Sequence, residues 1–481
     1  MLSGLEAAGV EADVTLFSSD RYFDFDPPDH PGSMDLARFY AGLYADIKAQ
    51  AVNYPPRKTF FGDPVPCYSV GDEARFFQID MFGGQTNIWG GTALPLTEAE
   101  FEGWPITRKE LEPHYQAIAD RIGIAGRRDR LSEFLRLDYS DRPPVKQLKG
   151  FEFLERHLNQ RAEAGGYHLH AGVPPSAVDT RSDSPNGCIQ CGECMAGCVR
   201  DSIYSARSTL RRAIAAGTVD FVGQNVTSIR SRESRPEVRC ENGDTRSFDR
   251  VFLCAGCVAT TEILMRSLEM RTGPILQDNC IYQFPIVNLS EHSDPRKEEY
   301  FGLTNLLLLM EPKLPELSLV QIQFYPNVDY LWRTLFPRWC WGLLRHPVRW
   351  LRDRTIWARA YTDAGDSYRY SMRLDDDRLV FSEAATPDAT NVVRWRESLR
   401  QALRGSKCYV LPFQPVLAHT SAHLAGSFPY GGGHVTVARD GEVMPSVHIA
   451  DSSCFPKSPV ISPTMTIMAN ARRTLLEALG R

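Results

Sequence analysis

The chain has 481 residues, 43% of them hydrophobic and 23% charged, with a formal net charge of −5. That length calls for two or three domains. The composition belongs to globular rather than disordered or fibrous chains, and the weak negative charge gives no global attraction for nucleic acid. No run approaches the ~18 consecutive apolar residues of a membrane span. Residues 1–20 lack a secretory pattern, and twelve cysteines are too sparse for a secreted disulfide scaffold. A cytoplasmic enzyme is the expectation.

The chain opens with LSGLEAAG, the last turns of a helix closed by Gly9, followed by ADVTLF as a buried strand. This is the second half of a dinucleotide-binding βαβ unit, whose first strand and G-x-G-x-x-G turn would lie before Met1. Residues 21–66 read as an irregular excursion rich in Pro, Asp and aromatics. TEAEFEGWPITRKELEPHYQAIADRIGI predicts one helix over about 98–124. An Arg-rich helix follows over 204–217, stopped by Gly217. VDFVG and VTSI read as strands, and Asn242-Gly243 signals a hairpin. VFLCAG (251–256) runs as a strand into the helix TTEILMRS, the strand-to-helix turn of a parallel sheet. Beyond 276, LSLVQIQFYPNV and DSYRYSMRLDDDRLVFSEA alternate with period two and predict a large antiparallel sheet. A last helix runs from about Pro463 to Leu479, with Gly480 after it.

The expected fold class is α/β: a segmented, Rossmann-like domain with an inserted antiparallel-sheet (α+β) domain. The boundaries are 1–275 for the nucleotide-binding part, 276–434 for the insert, and 435–481 for the returning segment.

Four segments, in order, resemble the glucose–methanol–choline (GMC) oxidoreductases, FAD enzymes that oxidise alcohols and sugars. They are FGGQTNIWGGT (82–92) with GWPITRKELEPHYQ (103–116), NVTSI with VFLCAGCVATTEILMRS, HLAGSFPYG (423–431), and HIADSSCFPKSPVISPTMTIMANA (448–471). The first looks most like the pyranose oxidase branch. By this resemblance Asn87 and Trp89 sit near the isoalloxazine, Val226 offers its backbone to the adenine, and Asp451 lies beside the ribityl or pyrophosphate. The residues agree with that physically. Gly83, Gly84, Gly90 and Gly91 let backbone approach a flat ring, and Ala255-Gly256 end a strand where a ligand lies outside a parallel sheet. Pro463 and Thr464 open a helix whose free N–H groups suit an electron-rich pyrimidine. In the pyranose oxidase branch a histidine at the position of Ile88 carries the flavin covalently. Isoleucine cannot, so non-covalent FAD is expected.

Two departures from the family stand out. The glycine-rich N-terminal turn is absent, which leaves three readings: an upstream start, weak FAD binding, or a substitute element. The catalytic pair is His423 and Ser462 where the family has a histidine and a second histidine or asparagine. His423 opens the H-x-x-G-S-x-x-x-G run and is the expected base toward a substrate hydroxyl. Serine can share one hydrogen bond there but cannot act as a base.

Cys188, Cys191, Cys194 and Cys198 have the spacing of a ferredoxin cluster loop. Val199 replaces the usual proline, so an iron–sulfur cluster, zinc, and metal-free thiols or disulfides all stay open. Residues 332–359 hold five tryptophans, Trp332, Trp339, Trp341, Trp350 and Trp357, with many arginines. They suit docking to a membrane surface or protein partner, or a helical cover with snorkelling arginines.

The reading is an FAD-dependent alcohol or sugar dehydrogenase or oxidase, passing electrons to oxygen, a quinone or a redox protein. The alternative is a catalytically impaired GMC-fold protein serving as a binding or scaffold subunit.

Overall fold

The computed structural model describes residues 1–9, 11–21, 23–24, 67–70, 74–77, 80–138, 140–195, 197–232, 235–289, 297–326, 350–351, 353–375, 378–385, 390–412, 415–417, 420–421, 423–433 and 435–481. Most of the 21–66 excursion, and Trp332, Trp339 and Trp341, lie outside them.

The fold is α/β. The helix Leu2–Ala8 closes on Gly9 in the left-handed region, at φ 62°, and leads into the strand Thr15–Phe17, which pairs in parallel with Asp220–Val222. A second parallel pair joins Val251–Leu253 to Val447–Ile449. Among the described residues the two pairs belong to separate sheets. From Leu253 the chain turns through Gly256, at φ 87°, into the helix Cys257–Ser267, a backbone that residues with a Cβ rarely adopt. The Asn242-Gly243 hairpin forms between Arg235–Cys240 and Thr245–Ser247. The last helix, Thr464–Ala478, has Pro463 as its N-cap residue. It packs on Arg108–Ile122, where the Tyr115 hydroxyl meets Thr466 Oγ1 at 2.7 Å in a buried contact.

The helix expected over 98–124 is two elements. A 3-10 turn spans Glu98–Phe101, and the α-helix starts only at Arg108, capped by Thr107. Gly103 at φ 80° and Pro105 break the run, because neither supports a helix interior.

The large antiparallel sheet has eight strands among the described residues. Its centre runs Ile281–Asn288, Thr355–Tyr361, Val320–Tyr325, Leu306–Pro312, Tyr167–Gly172. Two of its strands, Glu163–Ala164 and Tyr167–Gly172, precede residue 276, so the 276–434 segment does not build the sheet alone. Of the Trp-rich stretch, Trp357 lies in the Thr355–Tyr361 strand, and Trp350 is exposed with the Arg354 guanidinium 4.6 Å over its ring.

Strand alternation divides the sheet into two unlike faces. One carries Phe284, Ala358, Ile322, Phe324, Leu308 and Met310, and packs with Leu154, Leu158, Trp395 and Leu399 into the main apolar core. Those last four come from the helices Lys149–Arg161 and Thr390–Ala402. The opposite face carries Gln321, Gln323 and Tyr361, which are 0%, 4% and 6% exposed. A period-two strand usually turns its polar residues to water; here they are covered by protein.

Trp395, the bulkiest fully buried side chain among the described residues, seals the apolar face under its helix. Trp395→Ala is expected to cost about 3–5 kcal/mol, measured as a lower denaturant midpoint. A loss under about 1 kcal/mol would show that this helix does not close the core.

Candidate active site

Glu100 fixes the segment that leads into the last helix. Its Oε1 accepts from the backbone N–H groups of Val460 at 2.9 Å and Ile461 at 3.1 Å. Its Oε2 accepts from Thr97 N at 3.2 Å and Thr97 Oγ1 at 3.3 Å. Desolvation raises the pKa of this buried carboxyl, and the hydrogen bonds oppose that rise. Residues 458–462 are thereby held against the polar face of the sheet. Pro459 O accepts from Asn279 Nδ2 at 2.9 Å, and Ser458 Oγ donates to His423 O at 2.6 Å.

His423 sits among these groups, half-buried. Its Nδ1 is 3.0 Å from Asn279 Nδ2, and its ring stacks on Tyr361 with centroids 5.3 Å apart and planes 23° from parallel. Burial pulls its pKa down to about 4, so the ring is neutral near pH 7.

Ser462 occupies the other half of the patch. Its Oγ accepts from Gln321 Nε2 at 3.3 Å and Gln323 Nε2 at 3.2 Å, and its N–H donates to Gln321 Oε1 at 3.3 Å. The hydroxyl therefore keeps its own proton for a third partner. Gln321 lies directly across the ladder from Tyr361, and side chains so paired stand roughly 5 Å apart. His423 and Ser462 are thus bracketed onto one patch of the sheet by neighbouring residues. Arg359, across from Gln323, holds its guanidinium 5.3 Å from the Tyr325 ring.

Asn279, Glu100, Gln321, Gln323 and Tyr361 were not among the expected site residues. The readable signal was VQIQFY, in which polar residues alternate within a strand flanked by LLLLM. Glu100 and Asn279 carried none, since buried partners decide their roles.

The expected cofactor residues divide into open backbone and braces. Ala255 and Gly256 are exposed at the end of their strand. Cβ atoms built on Gly84, Gly90 and Gly256 would meet nothing within 4 Å. The helices that begin at Cys257 and Thr464 have no side-chain cap on their first N–H groups. Such open, electropositive helix ends fit the pyrophosphate and pyrimidine of a flavin dinucleotide. Asp451 acts from behind. Its Oδ2 accepts from Gly256 N at 3.0 Å and from Thr260 Oγ1, while Oδ1 holds Ser453, so it shapes the strand-to-helix turn. Asn87 braces the 82–92 loop through Phe82 O and Ser205 Oγ. Trp89 Nε1 donates to Tyr204 O at 2.7 Å. At Gly83 a Cβ would lie 2.9 Å from Arg207 N, so that glycine admits a neighbouring helix. Val226 starts the Val226–Arg232 strand and packs into an apolar cluster.

The four cysteines of the run are free. Gly302 N–H donates to Cys194 Sγ and Ser202 N–H to Cys198 Sγ, each at 3.3 Å. The loop docks on the sheet domain, where Tyr300 N donates to Gln190 O at 2.8 Å. Burial pushes the Cys188 thiol up to about 12 and raises Cys191 and Cys194 as well, which favours neutral thiols. Among the described residues no three His, Cys, Asp or Glu side chains are disposed to hold a metal ion. The iron–sulfur and zinc expectations therefore have no support. The turn packs Cys194 into an apolar cluster with Met195, Phe301 and Leu303.

A cavity of about 410 Å³ opens beside the 426–433 loop, lined by Gln277, Arg369, Ser427 and Lys457 among others. His423 and Ser462 are not in its wall.

No protein-family model matches the chain, and no curated protein matches it. Among solved structures the chain is similar to pyridoxine 4-oxidase from Mesorbium loti, at TM-score 0.62 and 13% identity, covering 100% of this chain and 96% of that one. It is also similar to an FAD-dependent oxidoreductase from Chaetomium thermophilum, at TM-score 0.50 and 12% identity, covering 84% and 86%. At such identities the likeness is one of fold, and it extends over the whole chain in the first case.

Two measurements test this geometry. Glu100→Gln turns two acceptor oxygens into one and faces an NH₂ toward backbone N–H groups, so a loss of about 1–3 kcal/mol is expected. No loss in a denaturant titration would contradict the anchoring role. The pKa of His423, and that of His114, is lowered to about 4 by burial. Between about 6.5 and about 4 the unfolded chain binds protons that the folded chain does not. Stability should therefore fall as pH drops through that window. His423→Gln should flatten the slope, and an unchanged slope would contradict the burial of this ring.

Proposed function

We propose that the chain is an FAD-dependent oxidoreductase of the GMC superfamily that oxidises a CH–OH group of an alcohol or sugar-type substrate. The observation that carries this reading is the convergence of His423 and Ser462 on one covered polar patch. The fold likeness to a pyridoxine 4-oxidase and to an FAD-dependent oxidoreductase supports it.

FAD, when bound, supplies a hydride acceptor for the carbinol carbon. The chain supplies everything else. The open backbone at Gly84, Gly90, Ala255 and Gly256, with the helix start at Pro463 and Thr464, would hold the cofactor. Ile88 has no nucleophile, so that hold is non-covalent. His423, neutral and clamped by Asn279, is the group that meets the substrate oxygen, and the Ser462 hydroxyl offers a second hydrogen bond to the same oxygen. Covered glutamines and the stacked tyrosine exclude water from that oxygen. Oxygen, a quinone or a redox protein completes the cycle.

The purified chain should bind FAD and release it on denaturation. Pyridoxine, simple primary and secondary alcohols, and aldoses should be screened for anaerobic bleaching of the flavin. With a substrate that bleaches it, His423→Ala should lose on the order of 10²–10⁴ in rate while keeping FAD. Ser462→Ala should lose about tenfold, as one neutral hydrogen bond implies. Failure to bind FAD would overturn the proposal, as would a His423→Ala variant that bleaches at the parent rate.

A further inference from the structure

We infer that Asn279 is a positioning residue that sets the tautomer of His423, so that the neutral ring presents Nε2–H, a donor, at its open edge. This rests on the reading of His423 as the side chain that meets the substrate oxygen. It gives that meeting a direction the sequence does not show.

The amide of Asn279 can be oriented from its surroundings. It is 2% exposed, and one of its terminal atoms lies 2.9 Å from Pro459 O. A carbonyl oxygen only accepts, so the facing atom is the NH₂ nitrogen. That same nitrogen is 3.0 Å from His423 Nδ1, and its second hydrogen points there. Nδ1 must then offer a lone pair, and a neutral imidazole with Nδ1 bare carries its proton on Nε2. The opposite orientation would set Oδ1 against Pro459 O, two acceptors at hydrogen-bond distance. It would keep one hydrogen bond where the first keeps two. In the favoured orientation Oδ1 is buried without a hydrogen-bond partner, which is the cost of making both donor contacts.

Pro459 cannot easily move to relax this choice. The next two backbone N–H groups are held by Glu100, and the residue before it is tied to the His423 carbonyl. Tyr361 stacks on the ring. The imidazole is thus oriented on its Nδ1 edge and on one face.

A ring held this way donates to an oxygen that gathers negative charge, and it polarises a carbonyl. It does not take a proton at Nε2 in that state. Accepting the hydroxyl proton there requires Nδ1–H, and therefore an Asn279 amide turned over to present Oδ1. The unpartnered Oδ1 is the atom that such a turn would satisfy.

The test uses the full chain labelled with ¹⁵N-histidine, with His423→Gln assigning the resonances. In the parent near pH 7, His423 should show Nε2 protonated and Nδ1 as an unprotonated, hydrogen-bonded nitrogen. Asn279→Asp replaces the donor by an acceptor, and should move the proton to Nδ1 and raise the midpoint at which the ring titrates. Asn279→Ala, a milder change should the aspartate prevent folding, should leave Nδ1 unprotonated but shift it toward a nitrogen without a hydrogen bond. Nδ1–H in the parent, an unchanged tautomer in folded Asn279→Asp, or an unmoved Nδ1 resonance in Asn279→Ala would each overturn the inference. None of these readouts needs FAD or turnover, so their failure is distinct from failure of the proposed function.

Discussion

The site depends on a buried carboxylate that spends all its hydrogen-bonding capacity on backbone. Glu100 binds the N–H groups of Val460 and Ile461, just before the last helix begins, and it ties them to the turn at Thr97. An ionisable group so buried is expensive unless it is fully partnered, and four donors meet that need. The return is positional. With residues 458–462 pinned, Pro459 fixes Asn279, Asn279 fixes the His423 ring, and Ser462 is delivered to Gln321 and Gln323.

The second determinant is the large sheet, whose two faces do different jobs. Its apolar face packs under two helices in the usual way. Its other face places amide and phenol groups where protein rather than solvent covers them. Covered polar groups keep their hydrogen-bond strength because water does not compete. The same covering keeps His423 neutral. A neutral, oriented imidazole beside a hydroxyl donor is the arrangement on which the proposed hydride chemistry at an oxygen-bearing carbon rests.

Much of the local structure is legible in the sequence. Gly9, Asn242-Gly243, Gly256 and Pro463 punctuate the chain where the elements turn, because backbone conformation at these points depends on residue type alone. The 98–124 region was harder, since its apolar periodicity runs through a Gly-Trp-Pro break. Candidate site residues were singled out only where a motif carried them, as with His423 and Ser462. Glu100 and Asn279 act through partners over a hundred residues away, and no spacing rule reaches them. Asn87 and Asp451 were expected beside the flavin, and the hydrogen bonds they make go to the protein's own turns. The cysteine run has the spacing of a metal loop, yet among the described residues no three His, Cys, Asp or Glu side chains are disposed to hold a metal ion, because spacing fixes only the chain distance between sulfurs.

On the proposed reading, His423 and Ser462 face one bound flavin across a single covered patch. A crystal structure of the chain loaded with FAD tests it most directly. An isoalloxazine is expected between the 84–90 loop and the start of the last helix, with His423 and Ser462 both directed at the space over its reactive face. FAD bound elsewhere, or His423 and Ser462 turned away from the ring in the loaded protein, would contradict it.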